Sequence, residues 1–163
     1  MTDAVDAIVD EWRRERPELD PSAKHITGRI VRLASLFQQS YGDAFAEIGL
    51  QNGDYGVLAA LRRAGVPFQL TPTDLARHRM MTSGGMTAAI DRLERKGLVA
   101  RLPNPSDRRG NLVKLTDDGR RIVDAAMNVH ADVERRLVAG LDEHECEALQ
   151  QLLRKLLTSV DSV

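Results

Sequence analysis

The chain has 163 residues, a formal net charge of −1, 42% hydrophobic and 4% aromatic residues, enough for one soluble, mostly helical domain that buries roughly 70% of the surface its unfolded form exposes. No uncharged apolar run approaches the roughly 18–20 residues of a membrane span, and no positive-then-apolar leader opens the chain at Met1-Thr2-Asp3-Ala4, so no membrane partner and a cytoplasmic location are expected. The single cysteine, Cys146, excludes an intrachain disulfide and suits a reducing compartment.

Val5, Ile8, Val9 and Trp12 are spaced for one face of a short helix from Asp3 to about Arg16, with Pro17 and Pro21 separating it from the next. From Ser22, the apolar residues Ile26, Ile30, Leu33, Phe37, Tyr41, Phe45 and Ile48 step by threes and fours, predicting a long amphipathic helix that ends at Gly49. A further helix runs from about Gly53 to Arg63 and stops near Gly65 and Pro67. Phe68-Gln69-Leu70 can form a short strand. Thr71-Pro72-Thr73-Asp74 then opens a short helix, with Thr71 as N-cap, proline in the first turn and Asp74 placed for a capping box.

Thr82 can cap a new helix whose body is closed by Gly97. Leu98 to Leu102, a charged tip and Asp107 to Thr116 follow, so the order is helix, strand, tip, strand. Two helices joined by a tight turn and followed by a two-stranded ribbon describe a winged helix-turn-helix. Thr116 caps a long helix through Ile122, Val123, Ala126, Val129, Val133 and Leu137, which Gly140 breaks. Asp142 and Glu145 form another capping box, and Leu149, Leu152, Leu153, Leu156, Leu157 and Val160 give the last helix a dense apolar face. The expected fold is therefore mainly α with a small β-wing. Residues 1–163 are read as one domain, with the winged module over 53–116 and dimerisation helices over 1–50 and 117–163.

Charge is partitioned sharply along this chain. Residues 77–114 carry nine Lys/Arg against three acids, a local +6, while both flanks are acidic. Attraction to phosphate would be focused on the middle module, which points to double-stranded DNA as partner. In the wing, Arg108 and Arg109 offer permanently charged, planar guanidinium groups, and Asp107 is placed to orient Arg109. The alternative is a surface turn with incidental charges.

The helix from Thr82 to Lys96 is the candidate reading helix. Its first turn carries Thr82, Ser83, Gly84, Gly85 and Thr87, small or hydroxyl-bearing groups that let backbone approach a duplex closely; the two glycines can equally mark a flexible turn. Met86, Ile90 and Leu93 would face inward. Thr87 and Ala88 could meet thymine methyls or base edges, Asp91 could accept from cytosine, and Arg92 could reach guanine or phosphate. Arg77, Arg79, Arg95 and Lys114 suit phosphate contacts that position without specifying.

The apolar stripes of the terminal helices exceed what one small winged module covers, so a homodimer is expected; packing within one chain as a bundle is the other way to bury them. No catalytic or metal-binding residue and no cofactor is expected. The chain lacks a Gly-x-Ser-x-Gly elbow, a phosphate loop and a His-Glu-x-x-His pair, and His25, His78, His130 and His144 are scattered. His144 and Cys146 stand two apart and point in different directions, which leaves Cys146 as a packing residue or, in a metal- or redox-responsive regulator, a group completed by folding. A winged module that contacts protein instead of DNA is the further alternative.

Over residues 22–160 the chain resembles the multiple-antibiotic-resistance regulator (MarR) family of dimeric winged-helix transcription factors. The signature, Asp-x-Arg followed by five residues and Leu-Thr, is met by Asp107, Arg109, Leu115 and Thr116. The resemblance implies a regulator, not an enzyme, that binds a pseudo-palindrome and is released by a small phenolic or other anionic effector. Such a ligand sits between the winged module and the dimerisation helices. An extra N-terminal helix bearing Trp12, together with Asp54, looks like the urate-responsive branch, which also places arginines at positions matching 89 and 101. Here Arg101 is present but position 89 is Ala89. Trp12, Asp54 and Arg101 are thus the candidate effector residues; a core anchor for Trp12 and a helix N-terminal acid for Asp54 are their structural alternatives.

Overall fold

The helical spacings become α1 (Ala4–Glu15), α2 (Lys24–Ala46), α3 (Asn52–Arg63), α4 (Pro72–Arg77), α5 (Ser83–Arg95), α6 (Asp117–Val138) and α7 (Glu143–Val160). Interleaved with them are strands β1 (Gln69–Leu70), β2 (Val99–Asn104) and β3 (Asp107–Leu115). The computed structural model describes residues 2–77 and 83–161, except for the side chains at positions 83, 84, 108 and 109. The chain divides into two compact units, one up to Asp43 and one from Ala44 onward. Among the described residues, no helix is long and apolar enough to cross a membrane.

In the first unit, Asp3 caps α1 by accepting from the amides of Val5 at 2.8 Å and Asp6 at 3.2 Å, and Asp6 accepts from the Asp3 amide in return. Arg29 of α2 donates to Asp3 at 2.9 Å and to Asp6 at 2.7 Å, so the capping box also fastens one helix to the other. The Arg29 hydrogen bond, helped by the Asp3 amide, pulls the Asp6 carboxyl down to about 2. Gly28 allows the crossing to be close: a Cβ there would lie 3.1 Å from Val5 Cγ1. Val5 and Val9 are buried, whereas Ile8 and Trp12 are each 43% exposed.

The second unit is built around α3, whose run from Val57 to Leu61 is buried. Leu75 of α4, Met86, Ala89, Ile90 and Leu93 of α5, Val113 of β3, and Val123 and Ala126 of α6 complete this core. At its edge, Phe45, Tyr55 and His130 stack, with Tyr55 4.5 Å from Phe45 and 4.8 Å from His130 between ring centroids, joining the end of α2, α3 and α6.

The sheet has three strands, antiparallel in the order β1-β3-β2, where a two-stranded ribbon was expected. Gln69 and Leu70 pair with Lys114 and Val113, so the short segment before α4 adds an edge to the wing. Phe68, expected within that strand, lies outside it: its φ is +59°. Its ring sits 5.2 Å from the Arg62 guanidinium and 5.9 Å from that of Arg120, two cation–π contacts, while its carbonyl accepts from the Leu115 amide at 3.0 Å. At α4 the expected capping box closes differently. Thr71 accepts from the Asp74 amide at 3.1 Å, but the Asp74 carboxylate takes the Thr71 hydroxyl at 2.7 Å.

The return from wing to α6 is a tight joint. Thr116 caps α6 by accepting from the Gly119 amide at 3.0 Å, and its hydroxyl donates to the Gly97 carbonyl at 2.7 Å. Its own amide donates to the Leu98 carbonyl at 3.2 Å. Gly119 presses on the same carbonyl, since a Cβ at 119 would lie 1.9 Å from the Leu98 oxygen. The Leu-Thr half of the signature therefore ties the base of the wing to the following helix. Beyond it, the Asp142–Glu145 capping box opens α7 as expected, with bonds of 2.9 and 2.8 Å.

Candidate nucleic-acid interface

Periodicity gives α5 one buried face and one open one. Met86, Ala89, Ile90 and Leu93 are buried, while Thr87, Ala88, Asp91 and Arg95 are exposed at positions that share the opposite side. Thr87 and Ala88 thus occupy the surface expected to meet base edges. Ser83 and Gly84 lie in the first turn of α5 by their backbone. Arg77 is exposed at the end of α4, 3.8 Å from Asp74. Arg79 and the expected cap Thr82 lie outside the described residues, as do the side chains of Arg108 and Arg109.

The charges of α5 are engaged on both flanks. Asp54 of α3 is fully buried and accepts from Arg92 Nε at 3.2 Å and Nη2 at 3.0 Å. Its other oxygen accepts from Lys96 Nζ at 3.2 Å and from the Gln51 amide at 3.3 Å, so one carboxylate caps α3 and holds α5. Lys96 also donates to the Gly49 carbonyl at 2.8 Å. On the other side, Arg101 of β2 pairs with Asp91 and Glu94, and its amide donates to Glu94 at 3.2 Å. The Asp91 hydrogen bond, opposed by desolvation and reinforced by Glu94, raises the Arg101 pKa further, fixing it as a cation.

Asp91 and Arg92, expected to reach bases, therefore have protein partners here and would have to exchange them to touch DNA. Gln51, Glu94 and Lys96 went unnoticed in these roles. The i,i+4 spacing of Arg92 and Lys96 and the i,i+3 spacing of Asp91 and Glu94 place each pair on one helical face, a legible signal. Which acid or base stands opposite is not. Of the candidate effector residues, Trp12 is half exposed, Asp54 has both oxygens occupied, and Arg101 is occupied by two carboxylates. Ala89, standing where the urate-responsive branch has an arginine, is fully buried.

The wing turns through Pro105 and Ser106, with the Ser106 amide donating to Asn104 Oδ1 at 3.0 Å. Pro103 pairs with Asn111 but Asn104 pairs with Asp107, so one step along β2 corresponds to four along β3. Arg108, Arg109 and Gly110 thus form a bulge beside the turn rather than its apex. The Asp107 side chain reaches along this bulge to Gly110.

Comparisons with known proteins agree with this geometry. A family model described as the MarR family matches residues 48–110. The HTH-type transcriptional regulator PecS of Dickeya dadantii is 31% identical over 152 residues, covering 93% of this chain and 92% of PecS. The multiple antibiotic resistance protein MarR of Escherichia coli K12 is 32% identical over 132 residues, 80% of this chain and 90% of that protein. Among solved structures, a mutant E. coli MarR complexed with operator DNA superposes with a TM-score of 0.74 at 30% identity, covering 85% of this chain and 99% of that one. A MarR family transcriptional regulator from Streptomyces coelicolor in complex with DNA gives 0.77 at 25% identity, covering 86% and 89%.

Proposed function

This chain belongs to the MarR family and is a DNA-binding transcriptional regulator, and from that premise we propose that it acts as a homodimeric, ligand-responsive repressor of a pseudo-palindromic operator. The observation that carries the two-copy reading is α7. It contributes no buried residue, yet Leu149, Leu152, Leu153, Leu156, Leu157 and Val160 are all exposed, Leu152 by 65%. A second copy is the occupant that symmetry supplies at no cost in sequence, and a two-fold axis sets two reading helices about 34–36 Å apart, one turn of the duplex.

Within each copy, Thr87 and Ala88, with Thr82, Ser83 and Gly84 ahead of them, form the surface offered to the major groove. Arg77, Arg79, Arg108 and Arg109 supply phosphate contacts, with Asp107 orienting Arg109. Asp91 and Arg92 contribute by holding α5 at a fixed angle, and reach bases only on exchanging their present partners. The effector is a small anionic or phenolic molecule. Arg101 is its candidate cation and Trp12 its candidate apolar surface, while Asp54 responds through Arg92 and Lys96. With Ala89 buried in place of an arginine, a dianion such as urate loses one cationic partner.

Genomic-fragment selection followed by footprinting tests the reading. Two protected half-sites about one helical turn apart, two chains per duplex, and release by an aromatic acid are expected. Arg109→Ala should weaken binding by at least about tenfold and reduce the salt slope by about one, with an unchanged melting temperature. A single protected half-site bound by one chain would overturn the dimeric reading.

A further inference from the structure

We propose that Gly110 is a positioning residue of the wing: the space where a side chain would stand lets the Asp107 carboxylate fold back along β3 instead of extending from the tip. The inference rests on the wing reading above and goes beyond the family signature, which includes Asp107 but not Gly110. A Cβ at position 110 would lie 2.8 Å from Asp107 Oδ2, 3.2 Å from its Cγ and 3.4 Å from its Cβ. The tightest of these contacts is with the carboxylate oxygen, so a methyl group at 110 would turn the exposed Asp107 carboxylate to another rotamer. Backbone conformation does not demand glycine here, because Gly110 is not among the residues with positive φ. What position 110 requires is room.

The charge explains why the room matters. Asp107 is the only acidic residue between Arg101 and Thr116, and it sits beside the backbone bulge at positions 108–110. A carboxylate displaced from that bulge toward phosphate would meet like charge. Folded over Gly110, it is a fixed counter-charge within the wing.

A double-mutant cycle on the full-length chain tests this, using a duplex recovered by genomic-fragment selection at two salt concentrations, with the melting temperature of each variant recorded. Gly110→Ala should weaken binding about tenfold when Asp107 is present and less than about twofold in the Asp107→Ala background, the coupling expected of residues in contact. In the Asp107→Asn background, which keeps the shape and removes the charge, the loss should be intermediate. Equal loss from Gly110→Ala in every background would overturn the proposal, since the glycine would then serve close backbone approach to DNA. If Arg109→Ala, Asp107→Ala and Gly110→Ala all leave affinity unchanged, the wing reading falls with it.

Discussion

Helices α5 and α7 have similarly clear apolar stripes and opposite fates. In α5 four apolar residues are buried, and its charged residues are tied to α3 on one flank and β2 on the other. In α7 every apolar side chain of the stripe is left open. The contrast teaches that periodicity defines a face but not what covers it. Coverage from within the chain comes with specific polar ties that fix orientation, while the open stripe of α7 is the face that the proposed second copy would cover.

The largest effect expected from breaking this contrast is on α7. Replacing Leu153 and Leu156 together by Glu should raise the dimer dissociation constant by about a thousandfold, on the order of 4 kcal/mol, while the melting of the remaining monomer is little changed; equilibrium sedimentation and calorimetry read the two separately. A stable dimer in that variant would place the interface elsewhere.

Next in size is the joint that makes α5, the wing and α6 one assembly. Gly119→Ala forces a methyl group against the Leu98 carbonyl, a backbone group with no flexible end to give, and should cost about 3 kcal/mol in urea unfolding. Gly140→Ala, at a position with open space around it, is the control and should cost little.

The smallest effects sharpen the difference between the two flanks of α5. Asp54→Ala removes a fully buried carboxylate that serves a helix cap and two cations, and should cost about 2 kcal/mol. Arg101→Ala removes a partly exposed cation whose pairs are screened by solvent, and should cost under about 1 kcal/mol, less still at high salt. Equal costs for the two would mean that burial does not distinguish the clamps.

Much of the fold was legible because it rests on local rules. Thr116 and Asp142 start helices where cap chemistry places them, and Gly97 closes α5 in a left-handed conformation. The inward set of Met86, Ile90 and Leu93 follows from a 3.6-residue repeat. What escaped the reading involved partners distant in sequence. A short strand was expected at Gln69 and Leu70, but not its pairing with Lys114 and Val113, which makes it a third strand of the wing. Arg92 was read toward DNA because an arginine on a reading helix suits a phosphate; nothing near it in sequence announces the acid 38 positions earlier.

The sequence by itself determined where helices begin and end, which faces are apolar and where positive charge is concentrated, since caps, periodicity and charge counts act over a few residues. Only the tertiary structure decided which charges remain available to a partner. Folding brings Asp54 to Arg92 and Lys96, Arg101 to Asp91 and Glu94, and Asp107 onto Gly110. The physical reason is that an ion pair or a steric exclusion depends on distances of a few ångströms, and those are set by the packing of whole elements rather than by neighbours along the chain.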